Sequence, residues 1–387
     1  MPDPAAASET SEQSSQSLID QIDDIGDLGG AAAESLPILR EALANDSAEV
    51  RWHAARSIGL IGRDAVSVVP ELVERLADDD VLVVAQAATA IGRIKEDDIA
   101  ADQGRTVRPP SESYAKALEA LVQSVKHPDA RVRRASLLAI KRLHPDRNDL
   151  SNLLGNMLSD SEPAVVMAAL RSIADVGPPA VPFLAGALQH PQSRYWSAVA
   201  LTEMGPQAVE AAEELVAAIK EADPVERMQM LLALAAIGEP AAAAAEPLVA
   251  MLESESEDDV SLRIPLVYAI GRIRLASAHK SLEKLLESDD PTIAGTAAWA
   301  RARIHPDAAD EVSIAVERLL KGVESADPVI RQGTISALAD LSEEVTQEQA
   351  GQLASLFSKS LGDREVPVRH AAAESLVRLG AASVPSL

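Results

Sequence analysis

One pattern recurs along this chain and constrains its fold more than any other feature. Its clearest copies are SAEVRWHAARSIGLIG (47–62), EPAVVMAALRSIADVG (162–177), DPVIRQGTISALADLS (327–342) and EVPVRHAAAESLVRLG (365–380). We take as reference the position just before the arginine, or the residue aligned with it. Ten copies follow, at Val50, Val83, Val132, Val165, Ser193, Glu226, Leu262, Ile293, Ile330 and Val368, with successive spacings of 33, 49, 33, 28, 33, 36, 31, 37 and 38 residues. A unit of that length cannot bury its apolar face alone, so neighbouring copies must stack.

Each copy reads as a helix with its own start and stop. Three residues before the reference stands an acid or a hydroxyl in nine of ten copies: Ser47, Asp80, Asp129, Glu162, Asp223, Asp259, Asp290, Asp327 and Glu365. Such residues suit an N-cap, and the acids also suit the positive end of the helix dipole. The next residue is proline in five copies (Pro163, Pro191, Pro224, Pro291, Pro328), where its missing N–H costs nothing. Apolar residues recur at +4, +8 and +11, as in Ala54, Ile58 and Ile61, and a glycine ends five copies at +12: Gly62, Gly177, Gly205, Gly238 and Gly380. Another amphipathic segment precedes each such helix, for example AVSVVPELVERLA (65–77) and AVPFLAGAL (180–188), so the unit is a helical hairpin.

An acid in the turn, then Val-Arg, then an Ala-rich second helix ending in Gly resembles the HEAT family, and in particular the short bacterial HEAT-like units also found in phycobilisome lyases. Arginine follows the reference in seven of ten copies: Arg51, Arg133, Arg194, Arg227, Arg263, Arg331 and Arg369, with Val84, Val166 and Ala294 departing from the pattern. The resemblance covers about residues 30–387. It implies an all-α fold, a right-handed α-solenoid of about ten HEAT-type hairpins, in which this Arg and the turn Asp form a ladder between neighbouring repeats. Ten hairpins at the usual helix spacing imply a curved rod on the order of 100 Å long. For function the resemblance says little, because one fold serves many activities.

Along the chain, residues 1–16 are Ser, Ala, Pro and acid and read as a disordered acidic tail. The solenoid then occupies 17–387, opening with a capping helix at SLIDQIDDIGDLG (17–29). The 49-residue spacing holds an insertion, KEDDIAADQGRTVRPPSES (95–113), expected as a surface loop. Pro265, inside the second helix of its repeat, is expected to start that helix late or kink it. The closing GAASVPSL matches the GPPAVPFL that opens an earlier hairpin. Either an eleventh hairpin begins there and the natural chain continues, or the stub covers the last core layer.

The net charge is −25, and the first 30 residues carry seven acids and no Lys or Arg; without those seven the rest still stands at −18. So acid a chain repels nucleic-acid phosphates and anionic membranes. There is no cysteine, which removes disulfides, thiol nucleophiles and thiolate metal sites together. The N-terminus lacks the basic and apolar regions of a signal peptide, and no apolar run approaches a membrane span, so a cytoplasmic location is the default.

Familiar catalytic signatures are missing: there is no phosphate loop, H-E-x-x-H helix, nucleophile elbow or EF-hand spacing. Four of seven histidines precede proline (His127, His144, His190, His305) and read as turn residues. The HEAT-like deoxyhypusine hydroxylases hold two irons through His-Glu dipeptides, and none occurs here; in RHAAAESL (369–376), Ala371 stands in place of the Glu. No metal and no cofactor are expected. HEAT-like DNA glycosylases use a basic concave face, against which the global charge argues.

In solenoids of this type the second helices line the concave side, and positions +2, +3, +6 and +10 fall between the buried stripe residues. Reading these positions yields the candidate binding residues Trp52, Arg56, Arg93, Arg134, Arg142, Arg171, Tyr195, Trp196, Tyr268, Arg272, Trp299 and Arg303. Five of the eight aromatics in the chain, including all three Trp, lie there, and acids are few (Asp175, Glu203, Asp340, Glu374). Trp, Tyr and Arg are the residues that most often carry interface energy. The same residues also have a bland role, since Arg stems cover apolar helix surface and pair with acids from neighbouring turns, and Trp fills gaps between Ala-rich helices. The reading that follows is a non-enzymatic scaffold whose concave groove holds a protein partner, an acidic or extended segment, with no nucleic acid and no membrane. The alternative is a bilin lyase-like or chaperone-like subunit, in which Arg would meet propionates and Trp the chromophore rings.

Overall fold

A computed structural model describes residues 4–101, 112–143, 147–254 and 262–380. All regular structure among them is helical. By its internal contacts the chain divides into two compact units, Met1–Phe183 and Leu184–Leu387.

In the first unit the helices are α1 (Pro4–Asp27), α2 (Leu36–Leu43), α3 (Ala48–Ile61), α4 (Val69–Arg75), α5 (Val81–Ala101), α6 (Glu112–Ser124), α7 (Ala130–Arg142), α8 (Arg147–Met157) and α9 (Pro163–Val176). The second helices of successive hairpins, α3, α5, α7 and α9, pack each on the next, while α2, α6 and α8 pack against the second helix of their own repeat. The stripe residues Ala54, Ile58 and Ile61 are buried as the period requires, and apolar stripes of this kind supply the main driving force for stacking.

Boundaries differ from expectation in two places. Helix α1 begins at Pro4 rather than at Ser17. It packs on α3 as a preceding second helix would, burying Ile19, Ile22 and Ile25. Ala, Glu and Gln dominate its early turns and favour helix once the chain is anchored. Likewise α5 runs on through KEDDIAA to Ala101 and α6 starts at Glu112; the rest of the loop expected at 95–113, residues 102–111, lies outside the described ones. The closing residues 381–387 also lie outside them.

The division falls within α10 (Val181–Ala187), and the second unit then contains α11 (Pro191–Met204), α12 (Ala212–Ile219), α13 (Pro224–Ile237), α14 (Pro247–Leu252), α15 (Arg263–Ile273), α16 (His279–Leu285), α17 (Pro291–Ile304), α18 (Ala309–Leu320), α19 (Pro328–Asp340), α20 (Gln347–Ser360) and α21 (Val366–Leu379). Here α11, α13, α15 and α17 pack each on the next, and α19 packs on α21.

Punctuation follows chemistry. Asp80, Asp129, Asp223, Asp290 and Asp327 accept from backbone N–H groups two or three residues on, whereas Ser47, Glu162 and Glu365 hold the cap position without a side-chain cap bond. The five terminal glycines all adopt φ between 56° and 75°, the left-handed region that closes a helix without a Cβ clash. Helix α15 starts at Arg263, after its reference residue Leu262, so Pro265 falls in the first turn, where no intrahelical N–H is lost.

Candidate functional site

The arginine after the reference position is where the repeats lock. Arg51 donates from Nε and Nη2 to both oxygens of Asp78, in the turn of the next repeat, at 2.9 and 2.7 Å, and from Nη1 to the carbonyls of Asn45 and Asp46 in its own turn. Arg133 does the same with Asp160 and the carbonyls of His127 and Pro128, and Arg331 with Asp363 and the carbonyls of Ser325 and Ala326. Arg194 substitutes Glu226 at 3.1 Å. Burial pushes the Asp78 and Asp160 carboxyls up, yet the arginine forks and turn N–H groups outweigh it and hold both below their usual value. Val84, Val166 and Ala294 interrupt the ladder.

The candidate binding residues fall into separate groups. At the start of the first unit, Trp52 is half-buried with its ring 3.6 Å from that of His53, while His53 Nδ1 and Arg56 meet Asp23 of α1 at 2.8 and 3.3 Å. Arg56 therefore serves to hold α1. Further along, Arg93 (α5), Arg134 (α7) and Arg171 (α9) are exposed, and no carboxylate among the described residues lies within ion-pair distance of any of them. Arg142 is half-buried and engaged with its surroundings. Asp175, the acid at an equivalent position, is taken by Lys141.

In the second unit, Tyr195 and Trp196 are half-buried, their rings edge to face at 5.1 Å. Tyr268 stacks on Trp299, with centroids 5.2 Å apart and planes 12° from parallel. Trp299 departs from expectation: it is fully buried, with Nε1 lacking any hydrogen-bond partner. Gly271 opposite makes room for it, since a Cβ there would lie 2.4 Å from Trp299 Cζ3. Arg272 and Arg303 are bound to acids, as the structural role of such arginines requires. Arg272 lies 3.5 Å from Asp340, and Arg303 reaches Glu344 at 3.4 Å and the Asp340 carbonyl at 3.1 Å; Arg378 also pairs with Asp340.

Two of the candidates, Tyr268 and Trp299, join residues that the sequence did not single out in a trough of about 1030 Å³ on the second-helix side of α13, α15, α17 and α19. Met228, Ile264, Gly295 and Gln332 line it at +2, and Leu232, Tyr268, Trp299 and Ser336 at +6. The register of this face was legible; its apolar and glycine members were not, because Arg and aromatics were the signal sought. Among the described residues no group of three or more His, Asp or Glu side chains could hold a metal ion, and no helix is long and apolar enough to cross a membrane.

A HEAT-repeat family profile matches residues 13–102 and 118–202. The repeats in those two stretches are HEAT repeats. No curated protein sequence matches it. Among solved structures, yeast importin-beta superposes with a TM-score of 0.55 at 16% identity, covering 91% of this chain and 51% of that one. Importin beta in an ammonium sulfate condition gives 0.52 at 14% identity, covering 90% and 47%. A Kap95:Nup1 complex gives 0.50 at 15%, covering 93% and 47%. At these identities the likeness establishes the fold, and the chain spans about half the length of the structures it matches.

Proposed function

We propose that this chain is a non-enzymatic interaction scaffold, whose second-helix face binds an acidic, extended protein segment. The observation that carries the reading is the trio Arg93, Arg134 and Arg171, exposed on successive packed helices and without an acidic partner among the described residues in a protein of net charge −25. Most other arginines among the described residues, such as Arg51, Arg133, Arg194, Arg303 and Arg331, are tied to a carboxylate or a carbonyl, so three exposed and unpaired guanidinium groups on one face stand out. Arg forks onto carboxylates and retains its charge at any physiological pH. The named structural neighbours include a complex of an importin-beta with another protein, which agrees with this use of the fold.

The test is fluorescence anisotropy with a labelled, unstructured peptide rich in Asp and Glu, beside a basic peptide of equal length. The acidic peptide should bind, more weakly as salt rises, and Arg134→Glu with Arg171→Glu should abolish most of that binding at an unchanged melting temperature. Equal binding of both peptides, or indifference to the double reversal, would overturn the reading.

A further inference from the structure

The trough of the second unit exists because two second helices part. Helices α17 and α19 do not pack on each other as their neighbours do; the short 3-10 turn Lys321–Glu324 packs between them instead. At this point the spacing from Ile293 to Ile330 is 37 residues, and Ala294 stands in the place of the ladder arginine.

Two glycines keep the trough open without serving the fold. Gly271 and Gly322 are required by packing, since a Cβ on either would come within 2.4 Å of Trp299 Cζ3 or Thr334 Oγ1. Gly333 has nothing within 4 Å of where its Cβ would stand, and Gly295 meets only Leu319 Cδ2 at 3.9 Å. Neither has a positive φ. Glycine within a helix weakens it, and its remaining use is to let another backbone come close. Around these glycines Met228 and Ile264 are 42% and 39% exposed and Val329 is 72% exposed, an apolar surface that water covers poorly.

The ends of the trough are cationic. Lys321 is exposed, with no carboxylate among the described residues in ion-pair distance. At the Asp340 end, Arg272, Arg303 and Arg378 share two acids, Asp340 and Glu344. We infer that the trough binds an extended peptide segment that lays aliphatic side chains across α13, α15 and α17 and sets a carboxylate beside Lys321. This gives the scaffold reading its partner chemistry and rests on it. The volume is at the upper limit of about 300–1,000 Å³ typical of small-molecule sites. The lining is apolar and aromatic on α13 and α15 (Met228, Leu232, Ile264, Tyr268), while the polar groups Thr292, Thr296, Gln332 and Ser336 lie on α17 and α19. Two helix spacings of roughly 10 Å from α13 to α17, with the wider gap from α17 to α19, give a run of at least about 30 Å, the length of about nine extended residues.

The experiment uses two labelled peptides of about nine residues with the same acidic end, one with Leu at alternate positions and one with Ser there. The full chain should bind the Leu peptide about tenfold more tightly. Gly333→Leu should remove that preference with no fall in melting temperature, because its Cβ meets open space. Lys321→Glu should weaken the acidic peptide and strengthen one ending in Lys. Equal affinities for the Leu and Ser peptides, no effect of Gly333→Leu, or biliverdin occupying the trough and excluding the Leu peptide, would each overturn the inference. If Arg134→Glu with Arg171→Glu abolishes acidic-peptide binding while Gly333→Leu does nothing, the scaffold reading stands and the trough assignment alone fails. If neither set of variants matters, both fail.

Discussion

Arg133 and Asp160 face each other across two repeats with two hydrogen bonds of 2.7 Å each, from Nε and Nη2 to the two carboxylate oxygens. The arginine also gathers two carbonyls of its own turn, so one side chain closes one hairpin and fastens it to the next. Because both side chains are largely buried, removing one strands the other. Arg133→Ala should cost on the order of 3 kcal/mol through the uncompensated Asp160 charge, and Arg133→Lys should recover only part, having lost the planar fork. Repeat arrays transmit such losses to nearest neighbours. Hydrogen exchange should therefore rise in α7 to α9; an increase spread evenly along the chain would contradict the ladder's local role.

The ladder also sets a direction for acid sensitivity. Hydrogen bonds from Arg331, together with the Glu365 N–H, hold the Asp363 carboxyl at about 2. The unfolded chain returns it to about 3.9. Between those values the unfolded state binds the extra proton, so the contribution is complete above about pH 4 and is lost as pH falls towards 2. Asp78 and Asp160 are shifted in the same direction. Urea midpoints measured down this range should fall for the wild type, and fall less steeply for Arg331→Ala, which has already lost the pair. A steeper decline in the variant would reverse the assigned sign.

Two glycines of the second helices, Gly271 and Gly333, should respond oppositely to alanine. Gly271→Ala places a methyl 2.4 Å from Trp299 Cζ3 and 2.9 Å from the Ala300 Cα, and overpacking of this kind costs about 1–3 kcal/mol. Gly333→Ala adds a methyl into open space inside α19 and should stabilise by about 0.5–1 kcal/mol. Melting temperatures of the two variants decide the matter, and a shared sign would show that one of the two environments is misassigned.

Much of the architecture was legible because it depends on local chemistry: N-cap acids, terminal glycines at positive φ, and a three-point apolar stripe. The extent of α1 and α5 was less so, since Ala- and Glu-rich segments are polar enough to read as tail or loop and are helical when the chain anchors one end. The candidate site was legible as a register and not as a list of residues. Trp196, at +3, is half in solvent and Trp299, at +6, is wholly inside, where Gly271 on the neighbouring helix makes room for it, a partner that a single-helix pattern does not contain. Arg56 and Arg272 likewise carry the expected residue type at the expected face, but Asp23 and Asp340 engage them from distant positions in the chain.

The three tryptophans separate core from surface in one experiment. Trp299 is fully enclosed and stacked on Tyr268, so Trp299→Ala should destabilise by about 3–5 kcal/mol through the cavity it leaves. Trp196 is half-buried, with its ring nearly perpendicular to that of Tyr195, so Trp196→Ala should lower the melting temperature far less than Trp299→Ala. If Trp196 anchors a bound segment, that same variant should lose about 2 kcal/mol of peptide affinity. Fluorescence gives an independent check: with Trp52 and Trp196 both changed to Phe, the remaining emission should be blue-shifted and shielded from acrylamide. Should Trp196→Ala melt as early as Trp299→Ala and bind acidic peptide unchanged, Trp196 belongs to the core, and the aromatic part of the proposed binding face is limited to Tyr268 and the trough.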